Sequence, residues 1–131
     1  MSAERLFERV SDFRKALERL QEALLQPETS LIRDATIQRF EFTYELAWKA
    51  LKLMLDHRGI DTRNARDALR EGLEQGLIED GNGWTAMHEM RNLTSHTYDE
   101  AIAKQVYHFI QTEGVALFKV LERQFTVSGI K

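Results

Sequence analysis

The sequence has no cysteine and a single proline, and each shortage removes a class of architecture. Without cysteine there is no disulfide framework, no thiolate metal site and no cysteine nucleophile, so a reducing cytoplasm is the expected setting. Long apolar runs are missing too. The opening MSAERLFERVSDF carries a charge every few residues, unlike a signal peptide, and no stretch nears the roughly 20 apolar residues of a membrane span. A soluble chain that is neither exported nor membrane-bound is expected. Nor is there a large excess of one charge: the net charge of −3 leaves any nucleic-acid contact to a local basic patch. What is present is 131 residues, 43% hydrophobic and 30% charged, which suits one domain over residues 1–131.

Pro27 and seven glycines divide the chain into stretches rich in Leu, Ala, Glu, Arg and Lys, with no run of alternating β-branched residues, and this pattern predicts an all-α fold. Helix one is expected from Ser2, as N-cap, to about Leu25, with Leu6, Val10, Phe13, Leu17, Leu20 and Leu24 at three- and four-residue steps. Helix two is expected from about Ser30 to Arg58, with Gly59 in the left-handed position after it. Its apolar residues, Phe40 to Leu55, point in many directions. That predicts burial on several sides, with a second copy of the chain as the simplest extra surface. Helix three is expected from a Thr62 cap to Gln75, stopped by Gly76, with Asp80 to Gly83 as a turn or loop. Helix four is expected over Trp84–Ser95. Thr97 and Glu100 have the spacing of a capping box, so helix five is expected from there to about Gln124. The sum is an up-and-down bundle of about five helices, with a break at His96 to Tyr98.

That break ends the densest run of polar functional groups, R-N-L-T-S-H-T-Y at 91 to 98. Arg91 can hold a phosphate through paired N–H donors, and His96 is the side chain suited to moving protons near neutral pH. Asn92, Ser95, Thr97 and Tyr98 add hydrogen-bonding groups. On an ideal helix residues five apart sit about 140° apart, so Arg91 and His96 share a cleft only if the helix ends between them, or if a two-fold axis joins two copies. The same Arg and His can equally do no more than satisfy the last carbonyls of helix four.

Other candidates carry plainer meanings. Glu41 and Glu45 read as a carboxylate pair, or, more simply, Glu45 pairs with Lys49 along the helix. His57 and His88 have no nearby ligand cluster, so no metal site is expected. Arg63, Arg66 and Arg70 form a stripe that is either a basic patch or a surface paired with Asp67, Glu71 and Glu74.

The segments R-F-E-F-T-Y-E-L-A-W-K-A-L-K (39 to 52), D-A-L-R-E-G-L-E-Q-G-L-I-E-D-G (67 to 81), W-T-A-M (84 to 87) and R-N-L-T-S-H-T-Y-D-E (91 to 100) resemble the nucleotidyltransferase substrate-binding proteins of the HEPN superfamily. The resemblance covers about positions 30 to 105. It implies a HEPN-like helical bundle forming a homodimer, similar to HepT toxins encoded beside a minimal nucleotidyltransferase antitoxin. The R-x4-H motif of that family falls on Arg91 and His96, with Asn92 after the arginine. The resemblance implies a metal-independent ribonuclease site needing no cofactor, in which Arg91 steadies phosphate charge and His96 transfers protons. The extended R-x4-H-x-Y form makes Tyr98 the residue to which the partner attaches AMP, silencing the toxin. The family name implies an alternative: a non-catalytic, nucleotide- or substrate-binding subunit of a two-component nucleotidyltransferase. A dimerisation module, with these residues only capping or packing, is the third possibility.

Overall fold

The computed structural model describes residues 2–130, and helices take up most of them. In chain order they are α1 (Ser2–Leu24), α2 (Ser30–His57), α3 (Ala65–Glu74), α4 (Gly81–Leu93), a 3-10 turn (Thr94–His96), α5 (Glu100–Phe109), a π turn (Ile110–Gly114) and α6 (Val115–Val127). Backbone dihedrals at Phe109, Ile110, Gly114 and Val115 stay helical, so α5, the π turn and α6 form one interrupted rod, the fifth of the bundle. The expected single helix five therefore exists, with an inserted π turn and an end three residues later.

α1 and α2 pack side by side, joined through Pro27, and Thr29 rather than Ser30 caps α2 by accepting the Ile32 N–H at 3.1 Å. The side chain of Ser2, the expected cap of α1, lies outside what is described. α2 is the central rod, packed against α1, α3, α4 and α5. Its buried side chains include Ile37, Phe40, Tyr44, Ala47, Leu51 and Leu55. Thr36 and Thr43 are buried at no cost in unpaired hydroxyls, because each donates to the carbonyl four residues back, at 2.7 and 2.6 Å. Burial on several sides is thus met mostly inside one chain. Phe42, Leu46, Trp48 and Leu53 are left half-buried, so the inference from helix two to a second copy loses most of its premise.

The core is a run of aromatic edges. Phe118 of α6 lies 6.0 Å from Phe13, 6.0 Å from Phe40 and 5.8 Å from Trp84, centroid to centroid, and ties α1, α2 and α4 to the last rod. Such pairs each add about 0.5–1.5 kcal/mol beyond area burial.

Three expected boundaries move. Thr62 does not cap α3: it is buried, and its carbonyl is held by Lys52 Nζ at 2.6 Å, so Asn64 caps instead, accepting the Asp67 N–H at 2.9 Å. Asp80 to Gly83 is not a loop. Asp80 Oδ1 accepts the Gly83 N–H at 2.9 Å and starts α4 at Gly81. Glycine is needed at 83 for close approach, since a Cβ there would sit 2.6 Å from Asp80 Oδ2 and 2.9 Å from Leu117 Cδ2. Thr97 does not form a capping box with Glu100. Its hydroxyl donates to the Thr94 carbonyl at 3.1 Å, and Asp99 caps α5 through the Ala101 N–H at 2.9 Å. Gly59, by contrast, takes the left-handed φ (80°) expected after α2, and Gly76, the expected stop of α3, is left-handed as well (77°).

Candidate functional site

α4 gives way to the 3-10 turn three residues after Arg91, and this separates the polar run into an inward and an outward half. Arg91 turns onto α2. Its guanidinium lies 3.6 Å from Glu41 and 3.5 Å from Glu45, and its Nη1 donates to Thr94 Oγ1 at 3.0 Å. Its Nε is buried without a hydrogen-bond partner among the described residues. Glu45 also accepts from the Trp48 indole at 3.0 Å, so the expected Glu45 to Lys49 pair is replaced by this arrangement across helices. The cause is electrostatic: two carboxylates one turn apart on α2 flank one guanidinium on α4 more favourably than an exposed lysine.

His96 and Tyr98 face outward. The 3-10 turn and the two residues after it place the Tyr98 hydroxyl 3.4 Å from His96 Nδ1, and Tyr98 is 87% exposed. Asn92 and Ser95 are exposed, with the Ser95 hydroxyl donating to the Asn92 carbonyl at 3.1 Å. The helix break brings His96 beside Tyr98, but it does not gather them with Arg91 as its position suggested: no hydrogen bond joins this pair to Arg91 among the described residues.

Beside Arg91 lies a pair that spacing could not reveal, because its members are 44 residues apart. The Tyr44 hydroxyl and His88 Nδ1 are 2.6 Å apart. Burial, reinforced by Glu45, raises the Tyr44 pKa well above that of a free phenol, with Arg91 opposing. Burial, then the positive charges of Arg66 and Arg91, lower that of His88, against Glu45 and Glu89. The phenol stays protonated and the imidazole neutral at neutral pH. His57 is exposed and stands apart. At α3, Arg63 just before the helix and Arg70 within it both pair with Asp67, whose carboxyl is held below its ordinary pKa first by the Arg63 backbone N–H. Among the described residues no three His, Asp or Glu side chains group closely enough to hold a metal ion.

Fold and site together define an all-helical bundle with an Arg-x4-His-x-Tyr elbow at a helix break. Compared with known proteins, residues 8–127 match the family model described as nucleotidyltransferase substrate binding protein like. The chain belongs to that family. A Haemophilus influenzae protein described as a probable ribonuclease HepT is 44% identical over 92 residues, and the match covers 63% of this chain and 62% of that relative's length. Among solved structures, a Haemophilus influenzae protein described as a substrate-binding domain of a nucleotidyltransferase is similar with a TM-score of 0.80. It is 32% identical, and the match covers 89% of this chain and 98% of that one. A Thermus thermophilus structure is similar with a TM-score of 0.77 and 35% identity, over 86% and 98% of the two chains. No helix among the described residues is long and apolar enough to cross a membrane.

Proposed function

We propose that the chain is a HepT-like protein that works, as a homodimer, with a minimal nucleotidyltransferase, and that Tyr98 is where the partner places AMP. The observation that carries this is the elbow itself: a phenol 87% exposed on a helix break, 3.4 Å from the imidazole of His96. In the transfer the Tyr98 oxygen attacks the α-phosphorus of ATP, the bond to the bridging oxygen breaks, pyrophosphate leaves, and the phenolic proton goes to water. The unmodified protein is then an RNA-cutting toxin. As general base, His96 takes the proton of a ribose 2′-hydroxyl as that oxygen attacks the adjacent phosphorus, and Arg91 offsets the charge that develops on the phosphate. The 5′-oxygen departs and takes a proton from water. An adenylyl group on Tyr98 adds negative charge and bulk two residues from His96 and repels the substrate phosphate.

The test is co-expression with the neighbouring nucleotidyltransferase followed by intact-mass measurement. The wild-type chain is expected to gain one adenylyl group and Tyr98→Phe none. An adduct that persists in Tyr98→Phe counts against the assignment. In the unmodified protein, His96→Ala and Arg91→Ala are each expected to lower RNA cleavage by about 10² or more while the fold survives in thermal melts. A second reading, a non-catalytic nucleotide- or substrate-binding subunit, draws support from the two carboxylates that already balance Arg91. It becomes the better one if the unmodified wild-type protein cuts no RNA.

A further inference from the structure

A cleft of about 330 Å³ opens between α3 and α4. Asn92 is the one residue of the 91–98 run that lines it; Arg91, His96 and Tyr98 do not. Its apolar surface comes from Leu69, Leu73, Ile78 and Trp84, and its polar groups from Arg66 and Arg70 on α3 and from Thr85, His88 and Asn92 on α4. The charges on α3 and just before it are unequal. Arg63 and Arg70 share Asp67, whereas Arg66 makes no ion pair among the described residues, even with Glu89 in the same cleft. Arg66 is thus an exposed guanidinium beside an apolar floor, outside ion-pair distance of the Glu89 carboxylate that shares the cleft.

His88 adds a donor of fixed direction. The Tyr44 hydroxyl has one proton and, among the described residues, His88 Nδ1 as its hydrogen-bond partner, so Tyr44 donates and Nδ1 accepts. The neutral imidazole then carries its proton on Nε2, the nitrogen turned away from Tyr44. With Asn92 offering a carboxamide and Thr85 a hydroxyl, the cleft combines ring-sized apolar area, donors and acceptors for a base edge, and guanidinium groups suited to phosphate. An Asn carboxamide can bond adenine with its carbonyl oxygen accepting and its NH2 donating. The volume sets the size: small-molecule pockets span about 300–1,000 Å³, and this cleft, near the lower bound, suits one nucleotide.

We propose that the cleft between α3 and α4 binds a purine nucleoside monophosphate, with its base on Leu69, Leu73 and Trp84 against Asn92 and His88, and its phosphate on Arg66 and Arg70. This site is separate from Tyr98 and stands whether or not Tyr98 accepts AMP. The nucleotide is either free or one unit of an RNA strand, since both carry the same base and phosphate.

The experiment is calorimetric titration of the full chain, expressed without a nucleotidyltransferase, with AMP, adenosine, inorganic phosphate and pentaadenylate. AMP is expected to bind about tenfold or more tighter than adenosine, and Arg66→Ala to weaken AMP by about tenfold, as loss of one charge-assisted contact does. Arg66→Glu should abolish binding, while Lys49→Ala, an equal loss of charge outside the cleft, should leave it unchanged. Pentaadenylate binding more tightly than AMP, with the same loss in Arg66→Ala, assigns the nucleotide to RNA and keeps the site. The two tryptophan indole N–H signals locate it by NMR: AMP should move that of Trp84 and leave that of Trp48, which is bonded to Glu45, in place. The proposal is overturned by any of three results: AMP evolves no heat, adenosine binds as well as AMP with no effect of Arg66→Ala, or Trp48 moves in place of Trp84.

Discussion

At His88, burial and two guanidinium groups act in the same direction. Arg66 on α3 and Arg91 on α4 disfavour the imidazolium, Glu45 on α2 and Glu89 on α4 favour it, and burial beside Tyr44 tips the balance to a lowered pKa. The sign for stability follows. Well above 6.5, the ordinary histidine value, His88 is neutral in folded and unfolded chains alike and its contribution is complete. As the pH falls through 6.5 the unfolded chain binds a proton before the folded one does, and stability is lost until the lower folded value is passed. The melting temperature of the wild type should therefore drop more between about pH 7.5 and 5.5 than that of His88→Asn, whose amide oxygen takes the position of Nδ1 opposite Tyr44 and does not titrate. Equal drops would show that His88 titrates as it does in the unfolded chain. The Tyr44–His88 pair is invisible in the sequence because no local spacing links residues 44 and 88. Arg91, Asn92, Ser95, His96 and Tyr98 are legible there, because a helix break gathers polar groups within a few residues. The carboxylates that hold Arg91 stand out as a pair, but their spacing along α2 points equally well to Lys49.

Helix interiors can be read from periodicity, whereas their ends depend on contacts with other helices. Gly59 and Gly76 follow the local rule for a left-handed residue after a helix, so the sequence is enough to place both. Gly81 and Gly83 obey a tertiary rule instead: the start of α4 passes close to Leu73 at Gly81 and to Leu117 at Gly83, so glycines that resemble a loop lie inside a helix. Removing the cap with Asp80→Ala should cost about 1 kcal/mol in urea unfolding. Gly83→Ala should cost about 2 kcal/mol despite alanine's higher helix propensity, because the new methyl meets Asp80 and Leu117. The double variant should lose less than the sum, since Asp80→Ala removes one of the two clashes. A stabilised Gly83→Ala would refute the packing argument. The π turn at Ile110–Gly114 has no signal at all, as the apolar stripe from Ile102 to Leu121 reads as uninterrupted α-helix.

For the whole molecule, five rods and an all-α bundle follow from composition and pattern alone, but the surface left for a partner does not. α2 spends most of its apolar side chains on its own chain, leaving Phe42, Leu46, Trp48 and Leu53 half-buried. The homodimer proposed above therefore rests on the HepT-like reading and not on this face, and light scattering on the purified chain should give twice 15.3 kDa. A monomer at micromolar concentration would remove the paired-motif geometry that the ribonuclease reading needs. The flanking of Arg91 by Glu41 and Glu45 bears on how such a molecule meets a polyanion. A free arginine that neutralises a phosphate lets one of the cations condensed on the nucleic acid diffuse away, and that release is what makes binding tighten in dilute salt. Arg91 can reach a phosphate only by leaving two carboxylates short of their own cation, so at this position the condensed ions have little reason to depart. Long-range attraction is accordingly weak here, and the grip of Arg91 on RNA would depend on close contact and shape, changing little between dilute and physiological salt.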